Sequence, residues 1–198
     1  HLPNKLKLDE VSFFEKLVNW TLPGLQFFYR DTDADIDATR LYEVGDTIRA
    51  GILVDVTTKL HRPIHKTRYI IASAHAAMFC EIEDMVAENP NLRKWGLCTL
   101  HFNSYFKVLD VYKKSGVTQV LLLHIPEAAA RYMGKSELLI QFAETATKGM
   151  NLVAMARASL DEKLMMDIHP RSYDMELCHR MHLPIGLDVN GEFVPLPP

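Results

Sequence analysis

The chain has 198 residues, of which 48% are hydrophobic and 24% charged, and its formal net charge is -3. That length supports one well-buried core, the composition excludes a disordered chain, and the acidic balance excludes a surface given over wholly to nucleic acid. No apolar run approaches the ~18–20 residues that span a bilayer, and the opening HLPNKLKLDE carries no apolar signal core.

In chain order, DEVSFFEKLVNW is the first periodic segment, with Phe13, Leu17 and Trp20 at helical spacing, Asp9 as N-cap and Pro23-Gly24 as the stop. An acidic stretch follows, RDTDADIDATR, which has no core face. TIRAGILVDV is rich in β-branched residues and reads as a strand ending near Asp55. The stripe Ile71, Ala74, Met78, Ile82 and Met85 predicts a long helix after HRPIHKTR, stopped at Asn89-Pro90. Its opening RYII also fits a short strand, but the unbroken stripe favours helix. GLCTLHF reads as a strand and SYFKVLDVYKKSG as a helix closed by Gly116. VTQVLLLHIP, bounded by Gly116 and Pro126, has the near-continuous apolar character of a strand buried on both faces. Helices are then expected in EAAARYM, SELLIQFAETATK, NLVAMARASLDEKLMM (capped by Asn151) and SYDMELCHRM. In the tail, Asn190-Gly191 lies between two apolar runs and predicts a β-hairpin.

This order predicts an α/β or α+β fold: a small, partly parallel sheet covered by several helices, with a helix-rich C-terminal half and a terminal hairpin. No Gly/Ser-rich or charged linker marks a boundary, so residues 1–198 are expected to form a single globular domain.

The unusual feature in charge is the absence of any acidic residue between Asp55 and Glu81. Arg62, His65, Lys66 and Arg68 fall in that gap, at what the pattern makes a helix N-terminus, where the helix dipole disfavours cations. A bound anion would compensate, so these four are the candidate ligand-binding residues. The plainer reading is that they pair with acids elsewhere, such as those of 31–37. His124 and His101, at the ends of predicted strands, are the candidate catalytic groups, because histidine exchanges a proton near neutral pH. Each is equally at home as a hydrogen-bonded histidine at a core edge. An enzyme site requires these histidines and the Lys66–Arg68 cations to share one cleft.

Asp31, Asp33, Asp35 and Asp37 alternate and form a weak metal candidate; a helix-loop-helix calcium site is excluded by Ile36 and Tyr42 where glycine and glutamate are needed. The spacing His61-x3-His65 is interrupted by Pro63, and Cys178-His179 with His182 lacks further ligands nearby. Cys80, Cys98 and Cys178 form neither a disulfide framework nor a CxxC knuckle, so reduced thiols and a cytoplasmic location are expected. No Walker loop, Gly-x-Gly-x-x-Gly turn, Gly-x-Ser-x-Gly elbow or His-Glu-x-x-His is present, and the sequence points to no cofactor. The favoured function is therefore an enzyme or binding protein for a phosphate-bearing small molecule, nucleotides included, held by the basic cluster. The alternatives are a non-catalytic protein-interaction module and, more weakly, nucleic-acid binding through the same patch, which lacks interleaved aromatic residues.

Overall fold

The computed structural model describes residues 22–32, 34–61, 66–126, 151–166 and 175–196. Seven strands form one mixed sheet: β1 (Gln26–Asp31), β2 (Thr47–Arg49), β3 (Val54–Thr57), β4 (Thr67–Ser73), β5 (Leu97–Leu100), β6 (Tyr105–Lys114) and β7 (Val117–Ile125). Their order is β2-β6-β7-β4-β1-β3-β5, with β4 parallel to β7 and the other pairs antiparallel. The described helices are α1 (Ala38–Leu41), α2 (Glu83–Glu88), α3 (Asn91–Trp95), α4 (Leu152–Met165) and α5 (Met175–Arg180). The fold is thus α+β with a partly parallel sheet, as the sequence indicates.

The sheet cannot be flat. β5 lies five positions from β6 in the sheet order, about 24 Å at ~4.8 Å per strand. Yet only residues 101–104 link them, and five extended steps reach about 17 Å. The sheet therefore curls, and one buried cluster collects residues from all seven strands: Phe28, Ile48, Val56, Tyr69, Leu100, Phe106 and Leu122 among them. The opposite, convex face carries Tyr29, Ile70 and Leu121, which pack against Ala156 and Leu160 of α4. A third cluster joins α2, α3 and α5 to the sheet edge through Val86, Trp95, Leu97, Leu177 and Met181.

Three expectations change. The long helix after HRPIHKTR is instead the central strand β4, a 3-10 turn at Phe79–Glu81 and the short α2. SYFKVLDVYKK is strand β6, not a helix. TIRAGILVDV is two strands, β2 and β3, separated at residues 50–53. Asn151 does stand at the head of α4, but in a left-handed conformation and without a side-chain cap. β5, β7, α5 and the turn that bridges Leu187 to Phe193 lie where the sequence places them. The helices expected in 9–20 and 127–148 lie outside the described residues.

Candidate functional site at the carboxyl ends of three strands

Strands β4 and β7 run parallel in the register Ala72↔Leu123, so Ser73 and His124 are the next neighbours across the pair. On its other side His124 faces Phe106 of β6, whose ring lies 5.4 Å away and tilted by 34°. The loop from β5 into β6 then closes over this end of the sheet and brings Ser104 to the imidazole. His124 is 2% exposed and hydrogen-bonded at both nitrogens: Nδ1 to Ser73 Oγ at 2.7 Å and Nε2 to Ser104 Oγ at 2.9 Å.

The proton positions follow from the neighbours. Ser104 donates its hydroxyl to the His101 carbonyl, so its oxygen accepts from His124 Nε2–H. Nδ1 must then accept from the Ser73 hydroxyl, whose oxygen in turn accepts the His75 backbone N–H at 3.1 Å. One neutral tautomer satisfies the whole chain. Burial, with a smaller contribution from His75, pushes the His124 pKa down to about 3. A buried, neutral, doubly bonded ring holds the site together and is not itself placed to exchange protons with a ligand.

His101 is different. It lies on the exposed 101–104 loop, stacked on Phe102 with ring centroids 4.2 Å apart. Its Nδ1–H donates to the Phe102 carbonyl at 2.7 Å. The loop is fixed from behind by Asn103 N–H to the Ala50 carbonyl (3.0 Å), Ala50 N–H to the Ser104 carbonyl (2.9 Å) and the Arg49 guanidinium donating to Asn103 Oδ1. Asn103 accepts a left-handed φ of 60° to make this turn. Exposed His75 follows β4 at the same end. The helical stripe places His75 beside an apolar face, whereas the strand and turn formed here leave it exposed.

The basic cluster does not join this site. Thr67 pairs with Thr118, six residues or about 20 Å before His124 along β7. Lys66 is exposed there, at the amino end of β4. Arg68 is buried, with Nε on Asp31 Oδ1 at 2.8 Å and Nη2 on the His61 carbonyl at 2.8 Å. The plainer reading, pairing with the 31–37 acids, therefore holds for Arg68, and among the described residues no helix begins here: Thr67 opens strand β4. Arg62 and His65 lie outside the described residues.

The acidic stretch is dispersed as well. Asp31 holds Arg68, Asp35 is exposed, and Asp37 accepts from Thr39 N–H at 3.2 Å to cap α1; Asp33 is outside the described residues. His61 is buried against the Trp95 carbonyl. Among the described residues no three His, Cys, Asp or Glu side chains converge on a metal position. A shallow cleft of about 280 Å³, lined by Asp46, Thr47, Ile48 and residues 193–196, contains none of these candidates.

No protein-family description and no curated protein matches the chain in sequence. Similar solved structures include exoenzyme S from Pseudomonas aeruginosa, in complex with human 14-3-3 protein beta and bound to carba-NAD (15% identity, TM-score 0.39, 57% of this chain and 54% of that one). The type III effector XopAI from Xanthomonas axonopodis pv. citri is 9% identical at a TM-score of 0.40, covering 54% and 46%. The ADP-ribosyltransferase Vis, in complex with the M6 inhibitor, is 13% identical at 0.38, covering 53% and 50%. The chain spans about half the length of these structures. Likeness this distant assigns neither a family nor an activity.

Proposed function

We propose that the protein binds a small phosphate-bearing molecule, nucleotides included, at the carboxyl ends of β4, β5 and β7. His101 and His75 are the imidazoles that meet the anion, and His124 is the positioning residue behind them. One observation carries this reading. The strand ends and loops that meet here, 49–54, 72–80, 99–106 and 123–126, contain Arg49, His75, His101 and His124 but no carboxylate. In a chain of net charge -3, that local imbalance favours an anion. The basic cluster at the other end of β4 is not part of the site, so the enzyme reading that combined the two is withdrawn and no reaction is assigned.

The test is a melting-temperature series with inorganic phosphate, ribose 5-phosphate, AMP and NAD against sodium chloride of equal ionic strength. At least one phosphate compound should raise the melting temperature of the wild type and leave a His75→Ala/His101→Ala double variant unmoved. An equal response in both proteins, or none in the wild type, rejects the site.

A further inference from the structure

A second constellation lies away from the histidines, where the chain after β4 meets the edge strand β5. Ala77 and Thr99 bond reciprocally, Ala77 N–H to the Thr99 carbonyl at 2.8 Å and Thr99 N–H to the Ala77 carbonyl at 3.0 Å. This antiparallel bridge sets Met78 opposite Cys98, and the 3-10 turn that follows folds Cys80 back onto them. Cys98 Sγ lies 3.4 Å from the Met78 thioether and 3.9 Å from Cys80 Sγ. Two further sulfurs, a thiol 18 positions away in sequence and a thioether, thus lie within 4 Å of Cys98 Sγ.

We infer that Met78, Cys80 and Cys98 form a binding site for a soft monovalent metal ion, Cu(I) in chemical class. Thiolate and thioether donors select soft ions over magnesium or calcium. A metal bonded to sulfur at about 2.3 Å needs sulfurs about 3.7–4.0 Å apart for tetrahedral to trigonal angles. The two cysteine sulfurs already stand at 3.9 Å, inside that range, and the thioether stands 3.4 Å from one of them. Zinc fits less well, because structural zinc takes four nitrogen or sulfur ligands, and among the described residues no third His, Cys, Asp or Glu joins the two thiols. The site is reachable: Cys80 keeps 8% exposure and Met78 is half-buried, beside the exposed residues 81–84.

The step balances simply. Cu(I) enters, each thiol releases its proton, and the complex of two thiolates and one neutral thioether carries one negative charge. No electron is transferred. A disulfide between Cys80 and Cys98 would instead remove two electrons, needs an added oxidant, and would leave Met78 without a role.

The experiment is a titration of the reduced full chain with Cu(I) under argon, in competition with a bicinchoninate chelator, and with Ag(I) as a redox-inert second probe. One equivalent is expected to be retained by the wild type and by Cys178→Ser, with ultraviolet thiolate-to-metal absorption. Cys80→Ser and Cys98→Ser should lose it. Met78→Leu, which keeps the volume and so guards against misfolding of the serine variants, should weaken retention by about tenfold or more. Failure to retain either ion, retention unchanged in a Cys80→Ser/Cys98→Ser double variant, or a mass loss of two hydrogens without bound metal each overturns the inference.

Discussion

His124 shows how one residue can be in the expected place with a different duty. Its ring is neutral because burial removes it from water and because Ser73 and Ser104 offer one acceptor and one donor, the complement of a neutral imidazole. A histidine whose folded pKa is depressed binds its proton more readily in the unfolded chain. The stability it permits is therefore complete above the ordinary histidine pKa near 6.5 and is lost as pH falls toward about 3. Unfolding free energies from urea curves between pH 7 and pH 4 should fall with a slope of up to ~1.4 kcal/mol per pH unit from this group. His124→Gln should flatten that part of the profile, and an unchanged slope would show that His124 is not the group responsible. Ser104→Ala leaves Nε2–H unsatisfied in the core and should cost about 1–3 kcal/mol at neutral pH, read from the same denaturation curves.

At the scale of elements, the two strands misread as helices share a physical cause. β4 is central and buried on both faces along its whole length, so it shows none of the alternation that marks a half-exposed strand. β6 is buried without alternation over its first four residues, and a bulge between Val108 and Asp110 shifts its register. Phe106 and Val108 point into the concave core, whereas Leu109 and Tyr112 pack toward α4, so the apolar pattern acquires a false helical period. The bulge has a consequence for packing. It aims Asp110 at Arg157 of α4, which it meets at 2.7 Å, while the same guanidinium sits 4.2 Å over the Tyr112 ring. β7 was legible because its apolar run is bounded by Gly116 and Pro126; the tail turns back through a single bridge, Leu187 to Phe193, with a positive φ at Gly191 but not at Asn190, so the two-residue turn that Asn-Gly favours is not the one formed. Helix α4 is held chiefly by its buried side: Leu160→Ala should cost about 2–5 kcal/mol. Arg157→Ala, at a half-exposed pair, should cost about 1 kcal/mol or less. Chemical denaturation that ranks them the other way would mean the bulge contacts, not the apolar seam, dock the helix.

Over the whole molecule, the direction of β4 decides which candidate residues can act together. Sequence placed Arg62, His65, Lys66 and Arg68 close before the residues that follow, and a helix would have kept them near His75 by winding. A strand of seven residues carries the chain to the far end of the sheet instead. Nothing in the composition of HRPIHKTR reveals this, because the choice between helix and strand is made by the neighbours β1 and β7 on either side. The two ends then answer differently to mutation. Lys66→Ala removes an exposed charge and should leave both stability (within about 0.5 kcal/mol) and any phosphate-induced rise in melting temperature as they are. Arg68→Ala breaks the buried ion pair with Asp31 and should cost about 3–5 kcal/mol, with the phosphate response kept in whatever fraction remains folded. If Lys66→Ala abolishes the phosphate response while His75→Ala/His101→Ala retains it, the anion binds at the amino end of β4, and the carboxyl-end site is the wrong one. The comparison needs only melting curves, and it separates an electrostatic steering charge from a binding group because the curled sheet holds them about 20 Å apart.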